Sequence, residues 1–150
     1  MTKEEIESLL TTAQIARFCS LNEDGTIHAA PVWYRYANGE IIIATPNESR
    51  KVSNIRRNRN VTILIDVEEP TVKGVLIYGK AQLENMDTRD RYISEAMRVF
   101  ERYMSRDEAE RYAAGLFKIA KKGVKITIRP ERIVSFDTSK DETLRNAVRG

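Results

Sequence analysis

The sequence predicts a mainly β protein, an antiparallel barrel of six to seven strands with helices inserted between them. Three observations carry that prediction. Asp24-Gly25 and Asn38-Gly39 each separate strand-like runs and supply the positive-φ residues of tight hairpin turns. The β-branched runs recur at short spacing and do not alternate with helical segments, as they would in a doubly wound parallel sheet. Neither Gly-x-Gly-x-x-Gly nor a Walker loop is present, which disfavours a dinucleotide-binding fold. At 150 residues, 41% hydrophobic and 31% charged, the chain has the size and composition of one folded domain.

Each element has a local cause. Thr2-Lys3-Glu4-Glu5 is a capping box, and Ile6, Leu9, Leu10 and Ala13 follow at helical spacing. Residues 15–21 form a first strand that stops at Asn22-Glu23-Asp24-Gly25. The return strand spans 26–36, and residues 40–45 complete a meander. Pro46 and Asn47 end it, and Ser49 caps a short basic helix from Arg50 to about Asn58, with Val52 and Ile55 as its apolar contacts. Residues 61–67 are almost continuously apolar and β-branched, the mark of a buried strand. The longest strand, 72–83, contains Gly74 and Gly79, which signal a bulge or a close approach of backbone to something else.

Ile93, Ala96, Met97, Phe100 and Met104 then recur at helical spacing behind an Asp87 cap, a stripe that reads as core. A capping box at Ser105 to Glu108 opens a second helix carrying Ala109, Tyr112, Ala113 and Leu116. Residues 124–128 and, across Pro130, 133–136 read as two final strands. A domain over 1–138 is expected, followed by a loose polar tail over 139–150.

Composition excludes several function classes. No apolar run approaches the roughly 18 residues of a membrane span. The N-terminus carries acids and no apolar h-region, so cytoplasmic residence is the default expectation. Cys19 is the single cysteine and His28 the single histidine, which leaves neither an internal disulfide nor a metal site. His28 beside a turn is ordinarily an exposed polar residue, and Cys19 a small buried hydrophobe.

Net charge is only +3, but Arg50, Lys51, Arg56, Arg57 and Arg59 crowd together with no acid between them. Nucleic acid is a poor partner for this run, because no recognition motif or interleaved aromatic accompanies it. The stretch from Thr45 to Lys51 is more specific. Thr45 ends a strand, Ser49 caps a helix, and two cations occupy its first turn, where the helix dipole disfavours them unless an anion compensates. Free amides, two hydroxyls and a bidentate Arg suit a phosphomonoester; the alternative is a solvated basic helix start.

Ala30-Pro31-Val32-Trp33-Tyr34, the Asn38-Gly39 hairpin, Ile41 through Thr45, Ser49-Arg50-Lys51 and Asn54-Ile55-Arg56-Arg57-Asn58 resemble the FMN-binding split barrels related to pyridoxamine 5'-phosphate oxidase. Gly79-Lys80-Ala81 and Arg129-Pro130-Glu131-Arg132-Ile133 extend the resemblance over most of the chain. It implies a flavin at a homodimer interface, its phosphate on Thr45, Ser49, Arg50 and Lys51 and its ring along the backbone near Val32 and Trp33. Lys73, Gly74 and Val75 would reach the same flavin from the partner subunit. Trp33 or Tyr34 would stack on the ring or fill the dimer core, and at most one can do the former, since strand neighbours point to opposite faces.

Two departures shape the functional expectation. Gly74 stands at a position that resembles one holding a flavin-contacting amide side chain in the true oxidases. Phe136-Asp137-Thr138-Ser139-Lys140 stands where they carry the Arg and His that recognise pyridoxal substrates. The resemblance therefore implies an FMN-dependent oxidoreductase moving two electrons to or from a small organic molecule other than vitamin B6. Its alternatives are a reductase using the deazaflavin coenzyme, with Lys118, Lys121, Lys122 and Lys125 for the longer anionic tail, and a non-catalytic flavin- or haem-binding protein. The sequence singles out no catalytic residue.

Overall fold

Period-two burial organises the sheet. Along β5 (Asn60–Val67), Val61, Ile63 and Ile65 are buried while Thr62 and Leu64 on the opposite face are only half covered. The computed structural model describes residues 1–149. Its other strands are β1 (Ala16–Leu21), β2 (Ile27–Val32), β3 (Arg35–Ala37), β4 (Glu40–Pro46), β6 (Lys73–Met86) and β7 (Gly123–Asp137). All pair antiparallel in one seven-stranded open sheet of order β2-β1-β5-β6-β7-β4-β3. The edge strands β2 and β3 are nevertheless joined by Trp33 and Tyr34 alone. At ~3.5 Å per residue, that link holds the two edges within roughly 10 Å at this corner, so the sheet must coil into a split barrel.

Helix α1 (Lys3–Thr12) closes one end of the barrel through Leu9 and Leu10, and its Thr2/Glu5 capping box forms as expected. Helix α2 (Arg50–Arg57) packs Val52 and Ile55 into the same core. Helices α3 (Arg89–Phe100) and α4 (Arg106–Ala120) make a hairpin with a second core of Met86, Tyr92, Ala96, Val99, Phe100, Ala109 and Ala113, against which Trp33 and Ala44 pack. The Met97, Phe100 and Met104 stripe lies in this cluster. Both predicted turns form, with φ +84° at Gly25, +53° at Asn38 and +76° at Gly39.

Several expectations need correction. The strand expected over 26–36 is broken, because the chain turns from one sheet edge to the other at Trp33-Tyr34. The two expected final strands are one, β7. Pro130 sits opposite Gly79 where the register with β6 shifts, and a bulge tolerates a residue without an N–H. A Cβ at Gly79 would run into the Arg129 carbonyl, which explains the glycine. Thr88, not Asp87, caps α3, its hydroxyl accepting from the Arg91 amide at 3.3 Å. Beyond these corrections, the polar tail from 139 onward contains the end of a 3-10 turn (Thr138–Lys140) and helix α5 (Glu142–Arg149), which buries no residue. Asp141 starts α5 by accepting from the Thr143 and Leu144 amides at 2.9 and 3.1 Å. Gly150, the end of that tail, lies outside the described residues.

Candidate functional site

The start of α2 is held from beneath. Asn54, 1% exposed, donates to Ser20 Oγ and Asn22 Oδ1 at 3.0 Å each and accepts from Arg57 at 2.8 Å. That network locks the helix onto β1 and fixes its N-terminus beside the end of β4. There Thr45, 4% exposed, donates its hydroxyl to Ser49 Oγ at 3.4 Å and accepts from Lys51 Nζ at 3.3 Å. Ser49 has extended cap backbone but its side chain caps no amide. The Ser49 hydroxyl is engaged by Thr45 alone, and in the first turn the Val52 amide donates to the Ser49 carbonyl at 3.1 Å while the Arg50 and Lys51 amides have no backbone acceptor.

Burial lowers the pKa of Lys51 below the usual lysine value. Among the described residues no carboxylate pairs with Lys51, Arg50, Arg56, Arg57 or Arg59. A partly desolvated ammonium beside two hydroxyls and a helix start, with no counter-charge, is the donor set of a phosphate site. Arg50 is exposed at its rim. Arg56 donates to Asn47 Oδ1 at 2.6 Å, and the Asn47 amide donates to the Lys122 carbonyl at 3.2 Å, so Lys121 and Lys122 border the same loop. Lys125 does not serve as a free cation: it bridges Glu84 at 3.0 Å and Glu95 at 3.6 Å.

Val32 and Trp33 are neighbours with different surroundings. Val32 closes the barrel core, whereas Trp33 belongs to the aromatic cluster of the α3–α4 hairpin. Its indole stacks on Tyr103 at 4.8 Å and 14°, meets Phe100 edge-on at 5.6 Å, and lies 5.7 Å from Tyr112. Tyr34 is fully buried and donates its hydroxyl to the Leu10 and Ala13 carbonyls at 2.8 and 3.2 Å. Burial pushes its pKa up to about 12. Tyr34 thus fills the core, and Trp33 is engaged by Phe100 of α3, Tyr112 of α4 and Tyr103 of the turn between them.

The corner itself depends on residues that the sequence reading missed. Tyr34's backbone has no ladder partner at the seam, and Tyr103 and Arg102 supply one. The Tyr34 amide donates to the Tyr103 hydroxyl at 3.1 Å, and the Arg102 guanidinium donates to the Tyr34 carbonyl. Arg102 also donates to the Thr11 and Ala13 carbonyls at 3.0 and 2.9 Å and lies 4.6 Å over the Tyr34 ring. An arginine just after a helical stripe carries no periodic signal, so only the fold reveals the clamp.

Lys73, Gly74 and Val75 are not gathered to this site within one chain. Thr45 pairs with Val124 and Val124 with Asn85, which is eleven residues from Gly74 along β6, a path of roughly 36 Å at ~3.3 Å per residue. Val75 is buried in the barrel, and Lys73 pairs with Asp137 at the far end. The close approach that Gly74 signals is made by its own chain: a Cβ there would stand 2.7 Å from the Ile65 carbonyl, 2.8 Å from Asp66 Cβ and 2.9 Å from the Phe136 ring. On the outer sheet face a groove of about 450 Å³ is lined by Cys19, Leu21, Ile27, Thr62 and Tyr78 among others. Burial pushes the Cys19 thiol up, away from thiolate chemistry.

Among solved structures the chain is similar to a conserved hypothetical protein from Mycobacterium tuberculosis, with 26% identity and a TM-score of 0.75 over 91% of this chain and 85% of that one. It is also similar to an F420 reductase (15% identity, TM-score 0.69, 89% of this chain and 98% of the other). A FAD-binding protein from Mesorhizobium loti shares the fold as well (17% identity, TM-score 0.66, 90% and 94%). These likenesses bear out the split-barrel fold. No curated protein matches the sequence. In the described residues no helix is long and apolar enough to cross a membrane. The family model described as pyridoxamine 5'-phosphate oxidase matches residues 2–133, so the chain belongs to that family, the one its sequence resembles.

Proposed function

We propose that the protein is a flavin-dependent oxidoreductase that binds FMN at a homodimer interface and moves two electrons to or from a small organic substrate. The observation that carries this reading is the half-buried Lys51, which shares Thr45 and Ser49 with a helix start and faces no carboxylate. When bound, the flavin supplies hydride chemistry at its ring, and the protein supplies binding, orientation and electrostatics. Lys51, Thr45 and Ser49 would hold the phosphate, and Arg50 would close over it from solvent. The backbone at Val32 and Trp33, fixed by the Arg102 clamp, would orient the ring. Lys73, Gly74 and Val75 lie at the other end of β6 from the residue in register with the Thr45 pairing, and in this reading they come from the second subunit. A deazaflavin coenzyme is the second reading, favoured by Lys121 and Lys122 beside the anion loop and weakened by the loss of Lys125 to its carboxylates.

Calorimetric titration with FMN and with riboflavin tests the phosphate assignment. Lys51→Ala should weaken FMN about ten- to a hundredfold, the equivalent of roughly 1.5–3 kcal/mol for charge-assisted hydrogen bonds. Riboflavin, which lacks the phosphate, should change far less. Equal losses for both ligands would remove Lys51 from the phosphate.

A further inference from the structure

Beside the strand end that would carry the flavin ring lies a second concavity of about 270 Å³, lined by Ile15, Pro31, Val32, Trp33 and Tyr112. We infer that this cavity is a substrate subsite for a neutral, planar, apolar ring, with Tyr112 as its specificity-determining residue. The inference rests on the flavin reading and adds to it the chemical class of the substrate.

The walls define the occupant. None of the five lining residues is charged, so a carboxylate or phosphate placed there would lose hydration without a partner. The volume lies just below the roughly 300–1,000 Å³ usual for drug-sized ligands, which suits one or two fused rings. Trp33 makes a rigid wall, because Tyr103 stacks on it at 4.8 Å and Phe100 braces its edge at 5.6 Å. Tyr112 in turn packs edge-on against Phe100 at 5.1 Å and stands 5.7 Å from Trp33 at 48°, leaving an aromatic corner. Such a corner favours flat ring faces and edges. At the mouth Tyr112 is 45% and Ile15 42% exposed. The Tyr112 hydroxyl makes no hydrogen bond within the described residues, which leaves one polar handle for a substituent on an otherwise apolar ring. The charged phosphate site on α2 is a separate place, so cofactor anion and substrate ring do not compete for the same groups.

Equilibrium dialysis of the FMN-loaded protein against dansylamide, a neutral fused-ring sulfonamide, tests the subsite. The expected result is saturable binding of one molecule per chain, weakened at least fivefold by Tyr112→Ala and by Ile15→Glu. Binding of the anionic dansyl acid should be at least tenfold weaker than that of dansylamide. The flavin-free protein should show the same site as dansylamide-dependent quenching of Trp33, the only tryptophan of the chain. Three results would each overturn the proposal: no saturable binding, equal binding of the acid, or loss through Ile27→Glu in the larger outer groove with the Tyr112 variant unaffected. Competitive displacement by riboflavin would also overturn it, by assigning the cavity to the cofactor's own ring. Failure of the flavin reading looks different: neither riboflavin nor FMN binds, while dansylamide still quenches Trp33.

Discussion

A single ammonium decides the chemistry at the residue scale. Lys51 is partly desolvated, so its folded pKa lies below the ordinary lysine value, and an arriving phosphate raises it again. The sign follows from this. Below the lowered pKa the ammonium is already charged, and FMN affinity does not change with pH through this group. As pH rises through it, binding must take up a proton and affinity falls, starting at lower pH than an ordinary lysine would allow. Riboflavin should show no such loss, and Lys51→Arg should abolish it, since arginine stays charged. FMN titrations across the alkaline range check this, and identical profiles for the wild-type and Lys51→Arg proteins would sink the assignment. The C-terminal residues carry a second prediction. The Phe136 ring packs against Gly74, Asp137 accepts from Ser139 at 3.0 and 2.6 Å, and Lys140, the one cation of the segment, is paired with Glu5 at 2.7 Å, so no unpaired cation is left there for a second phosphate. Pyridoxamine phosphate oxidation should stay well below the roughly 10⁴ M⁻¹s⁻¹ at which the usual enzyme range begins, as a steady-state oxygen assay would measure.

Elements act through their connections, and the turn between α3 and α4 is the clearest case. Arg102 ties the end of α1, the seam between β2 and β3, and its own helix hairpin by hydrogen bonds to three carbonyls. Arg102→Ala should cost about 3 kcal/mol in urea unfolding, because the carbonyls of Ala13 and Tyr34 lose a charged donor in a largely buried place. Lys at that position should restore only part of it, having no planar fork. This clamp also shows what the sequence made legible. Period-two patterning, turn dipeptides and capping boxes are local, so the strands, both hairpins, α1, α2 and the Ser105 cap could be read directly. The Thr45-Ser49-Lys51 grouping was readable for the same reason, since a strand end and the following helix start are close in the chain. The seam at Trp33-Tyr34, the continuity of β7 through Pro130 and the engagement of Trp33 by Tyr103 depend on partners 68 or more residues away or on a bulge opposite Gly79. No local pattern encodes those. At Gly74 the close approach that the sequence signals includes contacts with Ile65, Asp66 and Phe136 of the same chain, whose positions no local pattern gives.

On the scale of the whole molecule the barrel is unevenly finished. One sheet face is sealed by the core, while the outer face of β2, β1, β5, β6 and β7 presents Leu64, Leu76 and Tyr78 half covered and Leu21, Ile27 and Val134 exposed. Arg17, paired with Asp66, and Arg132, 4.3 Å over the Tyr78 ring, stand among these apolar residues, a mixed composition that suits an interaction site. In the proposed reading the Thr45 cluster of one chain and Lys73 to Val75 of the other meet at one flavin, which gives the same face a purpose. A homodimer with these faces in contact is therefore predicted, and a C2 interface would bury the patch of each chain against its copy. Val134→Glu places a charge on that face without touching the barrel core or the anion site. It should give a monomer with an unchanged far-ultraviolet circular dichroism spectrum and FMN affinity reduced at least tenfold, because the partner's share of the site is lost. Sedimentation equilibrium at micromolar concentration measures the first effect and flavin titration the second. A wild-type monomer that binds FMN stoichiometrically would contradict the geometry, and a Val134→Glu monomer with full FMN affinity would place the entire flavin site within one chain.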